Sequence, residues 1–387
     1  MFKVYNILSN IIKEVGIMRF LHTSDWHLGI SMNNISMIDD QNHFGETLTK
    51  ILTEENIDAL IIAGDVFDSS VSNSDAISLY NDIATEVCLS LGIPMLVIAG
   101  NHDGAARLAS MHELLKSSGM YVSGKLNKDI KPISFDDADV YLIPFFNIDE
   151  VRYLYPGKNV KNYDCAMNII CDNIRANMDK SKVNIVVSHS FVGGAKISDS
   201  ERSATVGTVN IVSKEAFRDF SYVALGHIHR KQKLAENIYY SGSPIKYSIK
   251  EAGQDKCMLI FDSSEKTVQE VKVTAFRDTK MIEGAYEEIL NMPPTDDYVK
   301  VVVTDKYIGI EILDTLRNMF PNIIGVEGKT LNSDENITSL TMEEVRNMSP
   351  AELIEKFFEE NFNSEFEEDQ LHQFLQMLDG FKSEELS

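Results

Sequence analysis

The feature that most constrains this sequence is a series of apolar segments, each of which ends in polar side chains. Their length and composition predict buried strands, and helical spacing predicts helices at FGETLTKILTEEN and SNSDAISLYNDIATEVCLSLG. Ligands of α/β proteins bind beyond the carboxyl ends of the strands. The sequence therefore predicts an α/β protein with a site where these strands end. The strand segments are RFLHTSD, DALIIAGD, IPMLVIAGNHD, VNIVVSHS and FSYVALGHIH.

The polar clusters at the strand ends supply carboxylates, imidazoles and one amide, but no thiolate. This set of groups suits Mn²⁺ or Fe²⁺ better than structural zinc. A single Asp-x-His or Gly-His-x-His is a weak signal and Gly-Asn-His-Asp after an apolar strand is a stronger one, whereas all of them in this order predict a metal site. The clusters are Asp25 with His27, Asp65 with Asp68, Asn101 with His102 and Asp103, His189, and His227 with His229.

Phosphoester cleavage is the chemistry that such a set of ligands fits. Two cations that share a bridging carboxylate generate a hydroxide and stabilise both the attacking and the leaving oxygen. We predict that Asp65, which follows a small glycine at a strand end, is the bridge. Asp25 and His27 are two residues apart and would face the same side of an extended segment. His227 and His229 have the same spacing, and Asn101 would bind through its amide oxygen.

His102 is predicted to act on the substrate. It directly follows Asn101, so in extended backbone its side chain would point away from the ligands. It would then be available to donate a hydrogen bond to a phosphate oxygen or to protonate the leaving group. As a hypothesis, Asp103 holds the His102 ring in the required tautomer. His22 is predicted to be a buried, supporting histidine.

The net charge of −23 argues against a broadly basic DNA-binding surface. About half of the excess lies in residues 331–387, which hold fifteen acidic and three basic residues. Metal ions would also add positive charge where a phosphate binds. The charge therefore leaves nucleic acid open as a substrate.

Cysteine content and hydropathy predict a cytoplasmic protein. The four cysteines are scattered, which is typical of reduced thiols rather than of a disulfide framework. No apolar run approaches the about 20 residues that a membrane span needs. Residues 1–17 lack a cleavage site and a clean apolar core, which argues against a secretory signal. They are predicted to be a short extension, or residues upstream of a true start codon at Met18.

These motifs resemble those of the calcineurin-like metallophosphoesterases, D-x-H, GD-x-x-D, GNH[DE], a later H, and GH-x-H. Further segments resemble the bacterial SbcD nuclease subunits, and the resemblance is strong from Met18 to about Phe261. It implies two packed β-sheets flanked by helices, an α/β (α+β) fold. The segments are MRFLHTSDWHLG, DQNHF, RLASMHELL, LIPFF, SERSATVG, ALGHIHR and YYSGSPIKYS.

The resemblance also implies the roles of individual residues. Two Mn²⁺ ions are expected, and His102 would be the residue that acts in the transition state. The first ion would be held by Asp25, His27, Asp65 and His229, and the second by Asp65, Asn101, His189 and His227.

The same resemblance implies a layout and partners. SbcD-like subunits form homodimers and join a coiled-coil ATPase of the SbcC type in a heterotetramer. The activities implied are ATP-dependent exonuclease on duplex ends and endonuclease on single strands or hairpins, in DNA repair, recombination and replication. We expect an extension at 1–17, a nuclease domain at 18–275, a DNA-capping α/β domain at 276–330, a linker at 331–348 and a helical partner-docking tail at 349–387.

Two other functions remain open at this point. One is a different phosphoesterase of this fold, which would act on phosphoproteins or nucleotides. The other is a non-catalytic scaffold, although none of the expected ligands is missing from the sequence. The sequence does not show which lysines or arginines would contact DNA. Those that flank the motifs are Arg107, Arg202, Arg230 and Lys246.

Overall fold

The computed structural model describes residues 18–196, 211–306 and 308–328. Within these ranges no helix has the length and apolarity needed to cross a bilayer. The strands are β1 Arg19–Thr23, β2 Ser31–Met32, β3 Ile35–Ser36, β4 Ala59–Ile62, β5 Met95–Ile98, β6 Met120–Ser123, β7 Ile133–Ser134, β8 Ala138–Ile143, β9 Val183–His189, β10 Phe191–Val192, β11 Ile211–Val212, β12 Tyr222–Gly226, β13 Gln232–Ala235, β14 Ile238–Tyr240, β15 Cys257–Asp262, β16 Thr267–Lys272, β17 Thr279–Gly284, β18 Tyr298–Val303 and β19 Ile323–Glu327.

The helices lie between these strands, and the two that the sequence predicts between the first three strand segments are both present. A π-helical turn, Glu86–Ser90, extends the second of them. The helices are α1 Ile38–Glu54, α2 Ser74–Thr85, α3 Ala105–Leu108, α4 His112–Leu115, α5 Ile148–Leu154, α6 Tyr163–Arg175, α7 Tyr286–Leu290 and α8 Ile310–Met319.

Two six-stranded sheets form the framework of the site. The first has the strand order β16-β15-β1-β4-β5-β6, and the second has the order β13-β14-β12-β9-β8-β7. Strands β1, β4 and β5 are parallel, as are β8, β9 and β12, so their carboxyl ends meet at one edge of each sheet. All five predicted strand segments are strands of these sheets.

The two sheets pack face to face. One buried cluster joins inward-facing residues of both sheets, among them Ile61 and Ile98 from the first and Val187 and Ala224 from the second. A second cluster packs the other face of the first sheet against α1 and α2. A third packs the outer face of the second sheet against α5 and α6. The predicted fold class, two packed sheets flanked by helices, is confirmed.

The described part of the chain divides into two compact units. The first contains the residues up to Met281 together with Pro294–Lys300 and Arg317–Gly325, and the second contains Ile282–Pro293, Val301–Leu316 and residues from 326. The strand, helix and strand predicted after residue 276 correspond to β18, α8 and β19. The extension at 1–17, the linker at 331–348 and the tail at 349–387 lie outside the described residues.

Candidate metal centre

All the predicted ligands lie at the carboxyl ends of strands from both sheets. Asp25 and His27 follow β1, Asp65 follows β4, and Asn101 follows β5. From the second sheet, His189 ends β9, while His227 and His229 follow β12. The backbones after β1 and β4 run side by side, because the amides of Asp25 and His27 donate to the carbonyls of Gly64 and Asp65 at 3.0 Å each. The adjacent sheets thus bring together residues that are up to 204 positions apart.

Several of these residues have a backbone conformation that L-amino acids rarely adopt. The φ angles are 54° at Asp25, 43° at His27, 50° at Asp65 and 97° at His227. Such strain persists only where the surrounding structure determines it, and it concentrates at functional sites. The strained backbone turns these side chains toward one another at the end of each strand.

Two glycines leave the space that the site requires. A Cβ atom at Gly100 would overlap the Asp65 carboxylate, and one at Gly64 would overlap the His189 ring. The glycines that precede Asp65 and Asn101 in the motifs therefore have a steric role. They allow neighbouring strand ends to approach closely enough for their polar side chains to meet.

Asp65 lies at the centre of the cluster. Its Oδ2 is 3.2 Å from His189 Nε2 and 3.8 Å from His27 Nε2. Three sets of side chains place their ligand atoms within 4.8 Å of one another. The sets are Asp25 with His27 and His229, His27 with Asp65 and His102, and Asp25 with Asp65 and His189.

Asn101 joins the two histidines of the second sheet. Its Oδ1 is 3.0 Å from His189 Nε2 and 3.0 Å from His227 Nδ1. His189 donates from Nδ1 to the carbonyl of Ala63 at 2.8 Å, which directs Nε2 toward Asn101 and Asp65. The Asp25 carboxylate in turn accepts the backbone N–H of His227 at 3.0 Å and so links the two sheets.

Charges within the cluster shift the pKa values of its members. Burial opposes the protonated form of His189, but the Asp65 carboxylate outweighs it and raises the pKa of His189 to about 9. Burial also opposes ionisation of Asp65, yet His189, with His27 and His102, holds the pKa of this carboxyl well below its ordinary value. Burial, with the charge of His189, lowers the pKa of His227 to about 4. His227 is therefore neutral at pH 7, the form that binds metals.

The arrangement of donor atoms fits divalent cations. His27 Nε2 and His229 Nε2 face each other at 3.1 Å, and two lone pairs at this distance repel unless a proton or a cation lies between them. His27 Nδ1 is buried without a hydrogen-bond partner. A group of buried imidazoles, carboxylates and one amide oxygen is the kind of donor set that binds Mn²⁺, Fe²⁺ or similar ions.

His102 lies beside the cluster and is exposed. Its Nδ1 is 2.8 Å from the carbonyl of Asp68, so Nδ1 carries the proton and Nε2 is left free. The hypothesis that Asp103 holds this ring is wrong. The Asp103 carboxylate instead accepts the backbone N–H groups of Val66, Phe67 and Gly100, at 3.2, 2.9 and 2.8 Å. Asp103 therefore ties together the loops that follow β4 and β5.

Two supporting residues escaped the sequence reasoning. Gln41, on α1, donates to the carbonyls of Trp26 and His27 and accepts the N–H of Gly29, which fixes the loop after β1. Glu251, in a short 3₁₀ turn, lies 3.4 Å from His229 Nδ1. Both contacts join distant segments. Gln41 lies in DQNHF, one of the segments that resemble the SbcD subunits, but neither its spacing nor that of Glu251 indicates these contacts. His22 is fully buried, as predicted, and contacts the Tyr222 hydroxyl and the Leu225 carbonyl.

The basic residues predicted to flank the site differ in their surroundings. Arg107 is exposed, and its guanidinium donates to the carbonyl of Ser70. Arg230 is exposed. Lys246 already donates to the Asp278 carboxylate at 2.7 Å and to the Ala252 carbonyl at 2.8 Å. Arg202 lies outside the described residues.

Two facing sheets with Asp, His and Asn side chains at their shared edge define a calcineurin-like phosphoesterase, and residues 18–231 match that family. Residues 275–362 match a family described as the Type 5 capsule protein repressor C-terminal domain. The chain is 30% identical over 354 residues to the SbcD subunit of the SbcCD nuclease of Staphylococcus epidermidis. This match covers 88% of this chain and 92% of that protein. The chain is also 30% identical over 348 residues to the SbcD subunit of Staphylococcus saprophyticus, and this match covers 88% of this chain and 92% of that protein.

The chain therefore belongs to the SbcD family of calcineurin-like nuclease subunits. It is a metal-dependent hydrolase of phosphoester bonds. The alternative of a phosphoprotein or nucleotide phosphatase is not favoured by these relatives.

Proposed function

We propose that this protein cuts DNA as the nuclease subunit of an SbcCD-type complex. Its activities would be ATP-dependent exonuclease on duplex ends and endonuclease on single strands or hairpins, in DNA repair, recombination and replication. The observation that carries the proposal is the cluster around Asp65, in which imidazole, carboxylate and amide groups from both sheets face one another. Phosphodiester hydrolysis by two metal ions needs such a cluster.

Two divalent ions, in our proposal Mn²⁺, would be held by this cluster. Asp25, His27 and His229 would bind the first ion, and Asn101, His189 and His227 the second, with Asp65 shared. When bound, the ions supply an activated hydroxide and stabilise the charge that develops on phosphate. The short contacts of Asp65 with histidines of both sets support its shared role.

His102 would act as the general acid. His102 Nδ1–H donates a hydrogen bond to the carbonyl of Asp68, so a second proton, on Nε2, would be the one donated to the leaving oxygen. The backbone N–H of His102 donates to Asp65 Oδ1 at 2.9 Å, which fixes the acid beside the shared ligand. The exposed position of His102 leaves its ring accessible to a polymer substrate.

We propose that individual basic residues near the cluster contact the DNA. Arg107 and Arg230 are exposed and flank the cluster in sequence, which suits them to contact phosphates. Lys246 is a weaker candidate because its ammonium is paired with Asp278. Arg202 lies outside the described residues, so its contact with DNA stays a prediction from the sequence.

We also propose that the chain joins an SbcC-type coiled-coil ATPase through the tail at 349–387, and that residues 276–330 form a DNA-capping domain. These assignments rest on the family and on the match of residues 275–362. The relatives are named as subunits of the SbcCD nuclease, which supports a partner of the SbcC type.

A homodimer is the further assembly that we propose. Apolar side chains stand exposed around α2 and α4, with Val71 69%, Leu89 65% and Leu114 72% accessible. Two of these residues, Val71 and Leu89, line a groove of about 550 Å³ together with Ile77. Contiguous exposed apolar surface marks association sites. Light scattering is expected to show that the native chain is a dimer and that the Leu89→Asp variant is a monomer. A native chain that is monomeric would exclude this assembly.

The substrate is tested by a panel of three. Purified protein with Mn²⁺ is incubated with supercoiled plasmid, with a phosphopeptide and with a nucleoside monophosphate. We expect nicking of the plasmid, abolished by EDTA, and no release of phosphate from the other two. Activity on the phosphopeptide or the nucleotide alone would indicate a phosphatase. No activity on any of the three in the presence of the ATPase partner would indicate a scaffold.

A further inference from the structure

Glu251 is a fully buried carboxylate that the reaction as described does not use. It ends the 3₁₀ turn Ile249–Glu251. One of its oxygens lies 3.4 Å from His229 Nδ1, and the other forms an ion pair with the ammonium of Lys256. A buried carboxylate is costly unless its oxygens are satisfied by partners of this kind. Glu251 thus connects a proposed metal ligand to a buried cation.

Lys256 holds the same histidine from a second direction. Its side chain is almost completely buried, and its ammonium donates to the backbone carbonyl of His229 at 2.9 Å and to the Ser243 hydroxyl at 2.8 Å. Glu251 therefore contacts the ring of His229 while Lys256 contacts its backbone. Buried ion pairs contribute little net stability compared with apolar residues of the same size. A role in orienting His229 explains better why charged groups occupy this position.

The contact determines which nitrogen of His229 carries a proton. A carboxylate can only accept, so His229 Nδ1 donates to Glu251. The lone pair of Nε2 then points into the cluster, where His27 Nε2 lies 3.1 Å away. Metal-binding histidines commonly donate their other ring nitrogen to a carboxylate, which fixes the tautomer and raises the basicity of the ligand.

We propose that Glu251 is a positioning residue that fixes His229 with Nε2 unprotonated and directed at the first metal ion, and that Lys256 holds Glu251 in place. This inference rests on the proposed role of His229 as a ligand. His189 has a different support, the carbonyl of Ala63. Loss of Glu251 therefore acts on the ion bound by His229 and leaves the ion bound by Asn101, His189 and His227 unaffected.

The test compares Mn²⁺ binding by isothermal titration calorimetry among variants of the full chain. Glu251→Met combined with Lys256→Met removes the acceptor while avoiding an unpaired buried cation. Glu251→Gln keeps an acceptor oxygen. We expect two Mn²⁺ sites in the native protein and a loss of about 10- to 100-fold at one of them in the double variant. Glu251→Gln is expected to lose less Mn²⁺ affinity at this site than the double variant does. The Mn²⁺ affinity of the second site is expected to be unchanged in both variants.

Asp139→Asn is the matched control. Asp139 is a buried acid paired with Lys182 at 3.2 Å, and it contacts none of the proposed ligands. We expect this variant to bind both ions with native affinity. A loss of Mn²⁺ affinity in Asp139→Asn as large as that in the double variant would show a general effect of disturbing a buried ion pair.

A second measurement does not depend on metal. In the metal-free protein with ¹⁵N-labelled histidine, the signal of His229, assigned by its absence in His229→Gln, is expected to show Nδ1 protonated. In the double variant a mixture of tautomers is expected. If native protein binds no Mn²⁺, the proposed metal site itself fails. If native protein binds two ions and the double variant binds both equally well, or if His229 carries its proton on Nε2, the role of Glu251 is overturned.

Discussion

His189 Nε2 lies 3.2 Å from Asp65 Oδ2, while His189 Nδ1 is occupied by the carbonyl of Ala63. In the metal-free protein, the Asp65 carboxylate raises the pKa of His189 to about 9 against the effect of burial, so at pH 7 a proton lies between these two atoms. A metal ion at the cluster would take the place of that proton.

Metal affinity is therefore expected to rise with pH. Below pH 9 His189 is protonated when metal is absent, so binding of the second ion, for which His189 is a proposed ligand, must release that proton. This one group predicts an increase in affinity of about tenfold per pH unit between pH 6.5 and 8.5. Calorimetric titration of Mn²⁺ in buffers with different ionisation enthalpies measures the proton release. Affinity that is independent of pH in this range would contradict the assignment of His189 as a ligand.

His102→Gln is expected to separate catalysis from metal binding. The substitution removes the proton of Nε2 but leaves the backbone N–H that donates to Asp65. The turnover number of plasmid nicking should fall by about 10²- to 10⁴-fold, as for the loss of a general acid. Mn²⁺ affinity should stay at the native value. His112→Gln, at the start of α4, is the control and should cut at the native rate. Native turnover in His102→Gln would exclude the proposed acid.

Gly100→Ala is expected to abolish the metal site by steric overlap alone. The added methyl group would occupy the space of the Asp65 carboxylate. Overpacking of this kind costs about 1–3 kcal/mol in the free energy of unfolding. Gly253→Ala is the matched control, since its Cβ would meet nothing within 4 Å. Thermal unfolding and Mn²⁺ titration of both variants measure the effect. Full Mn²⁺ binding by Gly100→Ala would contradict the close approach of the two loops.

His22 is expected to limit stability in acid. Burial lowers the pKa of His22 from 6.5 to about 3, although the Leu225 carbonyl and Asp25 oppose this shift. Because the folded pKa lies below the unfolded one, the stabilisation is complete above pH 6.5 and is lost as the pH falls toward 3. At pH 5.5 the loss is about 1.4 kcal/mol.

The variant His22→Gln does not titrate and offers both a donor and an acceptor to the Leu225 carbonyl and the Tyr222 hydroxyl. Urea unfolding at pH 7.5 and 5.5 should show a decrease in the native protein that exceeds the decrease in His22→Gln by about 1.4 kcal/mol. An equal decrease in the two proteins would exclude His22 as a source of acid sensitivity.

The general layout of the site could be predicted because its signals are local. Apolar strands that end in Asp65 or Asn101 place these residues at the carboxyl end of a sheet, whatever the details of packing. The family could be predicted for the same reason, and it is confirmed by its relatives. The individual ligand roles stay predictions, supported by the proximity of the side chains.

What could not be predicted depends on contacts between distant segments. Asp103 follows His102 in sequence, but the backbone turns so that its carboxylate meets three backbone N–H groups. Glu251 reaches His229 only because the fold brings its turn beside the segment that follows β12. No pattern of hydrophobicity or spacing encodes either relation.

The division of the ligands between two sheets has a consequence during synthesis. Asp25 and His27 leave the ribosome early, whereas His227 and His229 emerge only after about two hundred further residues. Because neither sheet alone carries all of the proposed ligands, a chain in which only one sheet has folded would lack the complete metal centre that we propose. Completion of the folded domain would itself act as the safeguard that withholds cleavage until the protein is whole.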